Sequence, residues 1–150
     1  MFDKIEGVSL DSIWRLRMQL LGEAKKLFIF AEGLTKESNE FHNQGIELSK
    51  KSHYSDKPET IDDYIKQIKK EQVGLKASES TFEANQQSLR SEKSKLEANR
   101  LVVLSEEIWV NAIREVYGNI KMEFKQWNEK KHSHSCVLYI KGKTTKTFNP

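Results

Sequence analysis

The stretch IDDYIKQIKKEQVGLKASESTFEANQQSLRSEKSKLEANRLVV, residues 61–103, decides the fold. Within it Ile61, Ile68, Leu75, Phe82, Leu89, Leu96 and Val103 recur every seven residues without a miss. Such a repeat marks an α-helix that lays one narrow apolar line against a neighbour. The companion positions of a full heptad seam open with Ile65 but continue as Gln72, Glu79, Gln86, Lys93 and Arg100. Polar residues at half of a seam cost stability while fixing register. A helix facing a wide core would instead carry about three apolar positions per heptad. The spacing therefore predicts a coiled-coil-like helix over about 60–99, roughly 60 Å long at 1.5 Å per residue. Its line could lie against residues 34–52 of the same chain or against another chain. Since 34–52 is the shorter and more polar segment, the seven residues are expected to serve as a partner or oligomer seam.

Upstream, Ser9 is a good N-cap and Asp11 sits in the first turn, where a carboxylate favours the helix dipole. Leu10, Ile13, Trp14, Leu20, Leu21, Ala24, Leu27, Phe28, Ala31 and Leu34 follow the three-four spacing of an amphipathic helix. The stripe weakens through Phe41 and Leu48, and Gly22, Gly33 and Gly45 interrupt it at up to about 1 kcal/mol each. With no proline in the way, one helix over about 10–51 is expected. The Phe28-Ile29-Phe30 triplet places apolar groups on more than one face, which points to a second surface.

Pro58 breaks the chain in Ser52-His53-Tyr54-Ser55-Asp56-Lys57-Pro58-Glu59. Asp56 with Glu59, or Thr60 with Asp63, can cap the next helix, which should start between 57 and 61.

Beyond 100 the pattern broadens. Leu101, Leu104, Ile108, Trp109, Ala112, Ile113, Val116, Tyr117, Ile120, Phe124 and Trp127 form a rich apolar face. This suggests a third helix over about 101–129 capped near Ser105, or a straight continuation of the second. Either way the face is the natural mate of 10–34, with Trp14, Phe28, Trp109, Tyr117, Phe124 and Trp127 supplying most of the core. Val137-Leu138-Tyr139-Ile140, the turn Lys141-Gly142-Lys143 and Thr144-Thr145-Lys146-Thr147-Phe148 read as a β-hairpin. Alone it would be marginal in water, so it must dock on the helices, pair across a dimer or join a partner's sheet.

The expected fold is mainly α: an elongated antiparallel helical hairpin or three-helix bundle over 1–131, then a basic β-prone tail over 132–150. Composition agrees. Seven Gly and two Pro in 150 residues are too few for a turn-rich β-sandwich, and Leu, Ile, Val and Phe, about a quarter of the chain, are too many for disorder. The longest run of strong hydrophobes, Leu27 to Ala31, is far short of the about 20 residues of a membrane span. Residues 1–6 lack a secretory pattern. The lone Cys136 has no internal disulfide mate, so a reducing, cytoplasmic setting is expected.

Charge is unevenly placed. Residues 121–150 hold seven lysines (Lys121, Lys125, Lys130, Lys131, Lys141, Lys143, Lys146) and two glutamates, a net +5, against −2 for the first 120. An acidic partner for this end is implied, whether nucleic acid, a membrane surface or an acidic protein. With no arginine in the tail to read base edges, nucleic-acid binding would be salt-sensitive and weakly specific. His132, His134 and Cys136 alternate, so on a strand they share a face and are the candidate zinc ligands, although no second Cys/His pair follows at finger spacing. No G-x-S-x-G elbow, P-loop or dinucleotide fingerprint occurs. The sequence thus reads as a non-catalytic interaction or scaffold subunit without a cofactor, self-associating through the 61–103 line and docking its basic tail on a partner. The second reading is a helical nucleic-acid-binding subunit. The third is a small toxin or hydrolase using the His132–Cys136 segment.

Overall fold

The computed structural model describes residues 4–5, 8–52, 57–128, 133–141 and 144–150. Its elements are β1 (Lys4–Ile5), β2 (Val8–Ser9), α1 (Leu10–Lys51), α2 (Ile61–Tyr117), β3 (Lys121–Asn128), β4 (Ser133–Ile140) and β5 (Thr144–Phe148). The protein is mainly helical, with two long helices packed on each other. β1 and β2 form a small antiparallel ladder, and β3-β4-β5 form a three-stranded antiparallel sheet. Contacts divide the chain into two compact units, one of Met1–Phe28 with Lys95–Pro150 and one of Ile29–Ser94.

α1 is one unbroken helix across all three of its glycines, as expected. Ser9 caps it, its hydroxyl accepting from the Ser12 amide at 3.2 Å. At the start of α2, the Asp63 carboxylate accepts from the amides of Glu59 and Thr60, and the Thr60 hydroxyl accepts from the Asp63 amide at 3.3 Å. This reciprocal box satisfies donors that a helix start would otherwise leave open. The two amides, Glu59's first, hold the Asp63 carboxyl below its usual range. The cap is therefore present at neutral pH and is lost as acid protonates Asp63. Asp56 and His53 lie outside the described residues.

The break near residue 100 does not occur: α2 is one helix from Ile61 to Tyr117. Nor is there a helix to 129. Gly118, with φ of 75°, turns the chain in a conformation that side-chain-bearing residues rarely adopt, and its amide still bonds to the Arg114 carbonyl at 2.9 Å. Residues 121–128 then form β3. Ile120, Phe124 and Trp127 satisfy a helical spacing, but Ile120, Met122 and Phe124 equally satisfy a two-residue one. With Lys121, Glu123 and Lys125 alternating between them, the strand period wins once β4 is there to pair with. A three-helix bundle is thus replaced by two helices and a sheet. The hairpin forms as expected, Ile140 pairing with Thr144 and Cys136 with Phe148. β3 adds to its other edge, Lys121 against Tyr139 and Phe124 against Cys136, with a bulge between Phe124 and Trp127.

In the first unit the core gathers Leu10 and Trp14 from α1, Trp109, Ala112 and Ile113 from α2, and Cys136, Leu138 and Phe148 from the sheet. Trp14 and Trp109 meet edge-to-face at 4.8 Å, and Trp109 meets Phe148 likewise at 4.7 Å. The Trp14 indole donates to the Asn149 carbonyl at 2.7 Å, tying down the end of the chain. Phe28 is absent from this cluster, and Trp127 is 39% exposed. The tail docks on its own helices through Phe148.

The second unit is built differently. Ser91 Oγ donates to the Ala31 carbonyl at 2.9 Å and Ser38 Oγ to the Ala84 carbonyl at 2.7 Å. A Cβ on Gly45 would lie 3.2 Å from the Ala77 carbonyl and 3.0 Å from Thr81 Oγ1. The facing pairs Ala31/Ser91, Ser38/Ala84 and Gly45/Ala77 step by seven in opposite directions, so the helices run antiparallel here. Helix separation is set by side-chain size at the contact, and here that size is at most two heavy atoms. A short hydroxyl reaches the opposite backbone only because the two backbones are so close.

Candidate functional site

The small-residue contact fixes which way the heptad line points. A residue two positions from another on a helix sits about 200° round from it. Leu75, Phe82 and Leu89 stand two before the inward Ala77, Ala84 and Ser91, and hence are turned away from the close α1 contact, Leu75 and Phe82 still bordering a groove with Phe41 and Leu48 of α1. All seven residues of the line, Ile61 to Val103, are exposed, between 52 and 76%. Residues 34–52 of the same chain do not cover it: they meet the alanine and serine line instead.

The second unit is consequently inverted. Among its described residues Leu34 is the one large apolar side chain fully buried, whereas Ile29, Phe30, Ile46, Ile61, Ile68, Leu75, Phe82 and Leu89 are exposed. Alanine, serine and glycine fill the interior because close backbones leave no room for more. Beside the line, an open groove of about 690 Å³ is lined by Phe41 and Leu48 of α1 and by Leu75, Phe82, Glu79 and Glu83 of α2. A shallower one at Glu83, Gln86, Gln87, Leu89 and Arg90 follows along α2. In the first unit, Leu96 and Val103 line a further groove of about 480 Å³ with Arg100 and Leu104. The first and the last are open and mainly apolar, suited to side chains of another helix.

The lysine-rich end is less uniform than its sequence. Lys121 Nζ lies over the Tyr139 ring at 4.9 Å, and Lys125 pairs with Glu123 at 3.2 Å. The Tyr139 hydroxyl donates to Glu123 at 2.8 Å, and this bond, then Lys125, holds the Glu123 carboxyl below its usual range. Lys146 pairs across to Leu138, so it shares the face of Met122 and Leu138 and not that of Lys121. Lys141 is exposed at the turn. Lys130, Lys131 and Lys143 lie outside the described residues.

Of the zinc candidates, His132 also lies outside the described residues. His134 Nδ1 donates to the Lys125 carbonyl at 2.6 Å, and its ring packs against Trp127 at 4.9 Å. Cys136 is fully buried, its sulfur accepting the Trp109 indole N–H at 3.3 Å. Among the described residues no three His, Cys, Asp or Glu side chains come together as a metal site would need.

Burial pushes the Cys136 thiol up, with the Trp109 bond and the Arg17 charge opposing. The folded thiol thus stays protonated where an unfolded one ionises, near pH 8.5. Its contribution to stability is whole below that pH and is lost as pH rises through the folded value. Native Cys136 is expected to resist a disulfide reagent at pH 8 and to react at once in urea. Rapid native labelling would show the thiol to be accessible.

Sequence reasoning missed Arg17. It is 3% exposed, with its guanidinium over the Trp14 ring at 4.9 Å and the Phe124 ring at 5.0 Å. Among the described residues, Nε and Nη1 have no hydrogen-bond partner. Burial lowers its pKa while the charges of Cys136 and Glu106 oppose that shift, and the two rings supply part of what water would have given. No protein-family model matches the chain, and neither a characterised protein nor a solved structure matches it.

Proposed function

We propose that the protein is a non-catalytic interaction subunit whose binding surface is the outer line of α2, with the basic C-terminal sheet as a secondary contact for an acidic partner. One observation carries the reading: in the second unit the large apolar side chains face out while alanine, serine and glycine face in. Exposed apolar patches of this length mark sites of association. Their heptad spacing selects a helix as the thing bound. The grooves at Leu75, Phe82 and Leu89 supply places for its side chains.

The acidic-partner contact rests on the exposed Lys121, Lys125 and Lys141. A nucleic acid draws less support than an acidic protein, because Glu123 sits among these lysines and Lys146 shares the other face of the sheet. The reading is tested by placing the photo-crosslinker p-benzoylphenylalanine at position 82 in cells that make the protein. An adduct is expected there and not at exposed Gln44 on α1. Irradiation that yields no adduct at 82 would remove the reading.

A further inference from the structure

We propose that the occupant of this face is a second copy of the chain, paired through Ile61, Ile68, Leu75, Phe82 and Leu89. The inference rests on the reading of α2's outer line as a binding surface, and three features of that line select the copy.

The first is area. Phe82 and Tyr64 each present on the order of 100 Å², from the about 150–250 Å² of a whole aromatic side chain. Adding Ile61, Ile65, Ile68, Leu75 and Leu89, all exposed, brings the apolar surface to roughly 600 Å². That is at the top of what a monomer ordinarily leaves in water, about 300–600 Å². With its polar borders it matches the about 800 Å² per partner of a stable pair.

The second is spacing. A helix that fits this line must carry its own apolar residues at sevens, and the copy does. Turning one copy about a two-fold axis through Leu75 sets Ile61 against Leu89 and Ile68 against Phe82. A two-fold pair buries the same patch on both sides, so the exposed stretch from Ile61 to Leu89 is covered on both copies in one step.

The third is charge. The positions three and four residues either side of Phe82 are Ser78, Glu79, Asn85 and Gln86, and those around Leu75 add Glu71 and Gln72. The two-fold sets Glu71 beside Ser78 and Gln72 beside Glu79, so no like charges meet. Foreign partners of paired helices are chosen by charged borders. These largely neutral borders carry little such code, and they do not repel an identical helix.

The test is light scattering and sedimentation of the full purified chain at about 100 μM, a hundred times a micromolar Kd. The wild type is expected at twice 17.5 kDa. Leu75→Asp with Phe82→Asp should give 17.5 kDa with an unchanged helical spectrum, Kd rising at least about a hundredfold. Ile29→Asp, exposed on α1, should leave the doubled mass intact. Should the double variant fail to fold, Leu75→Cys under mild oxidation reports on the folded chain, since Cys136 is buried and a disulfide-linked pair is expected. A wild type of single mass at this concentration overturns the pairing, as does a double variant that keeps the doubled mass or an oxidised Leu75→Cys that stays single. A single-mass wild type that still gives an adduct at position 82 loses the copy but keeps the binding surface; one that gives none loses both.

Discussion

Trp109→Ala is expected to remove about 3–5 kcal/mol, a large share of the about 5–15 kcal/mol that holds a domain folded. Trp109 is 0% exposed and joins all three parts of the first unit's core: Trp14 of α1, its own helix, and Phe148 of β5. Each of those ring pairs contributes about 0.5–1.5 kcal/mol beyond the area it buries. Truncation also strips the Cys136 sulfur of its donor. Phe148 would lose half of its aromatic cage, and with it the hold on the chain's end. Near-UV circular dichroism with urea unfolding should show a lost or much earlier transition of this unit. Trp127→Ala, at the exposed edge of β3, should cost under about 1 kcal/mol by the same measurement. A loss of less than 1 kcal/mol for Trp109→Ala would mean that the core closes around the gap.

Ala84→Leu probes the other unit and is expected to destabilise it by about 1–3 kcal/mol or more. Ala84 is 3% exposed, and Ser38 Oγ reaches its carbonyl at 2.7 Å. A leucine there must push α1 away. Separation of that kind would break the Ser38 bond and weaken the neighbouring bond of Ser91 to Ala31, each worth about 0.5–1.5 kcal/mol net. Hydrogen exchange over residues 31–45 and 77–91 should rise together, because the two helices are held by the same row of close contacts. Asn85→Ala, one position along and exposed, should stay within about 0.5 kcal/mol of wild type. Equal effects from Ala84→Leu and Asn85→Ala would show that the helix spacing is loose.

These outcomes depend on details that were unevenly visible in the chain. The helix limits at Leu10 and Ile61 and the caps at Ser9 and Thr60 were legible because capping is local chemistry within four residues. The β4–β5 hairpin was legible for the same reason. The second line of sevens was equally present in the sequence: Ala24, Ala31, Ser38 and Gly45 in α1, and Ala77, Ala84, Ser91, Ala98 and Ser105 in α2. It is a faint signal because small residues are weak hydrophobes, and the larger Leu75, Phe82 and Leu89 are the natural candidates for a buried contact. Burial ranks residues by apolar size only where the space is large enough to hold them.

By itself, the sequence determined a mainly helical chain with two long helices, a basic end and an apolar line of strict period, since each follows from propensity, capping and spacing along one segment. Three things awaited the tertiary structure. Residues 121–128 became a strand because β4 offered a ladder to an ambiguous pattern. Arg17 was enclosed because Trp14 and Phe124, distant in sequence, closed over it. The apolar line was turned outward because Ser38, Gly45 and their neighbours let α1 approach α2 more closely than any leucine would allow, and a helix that presents one face to its mate must present the opposite face elsewhere.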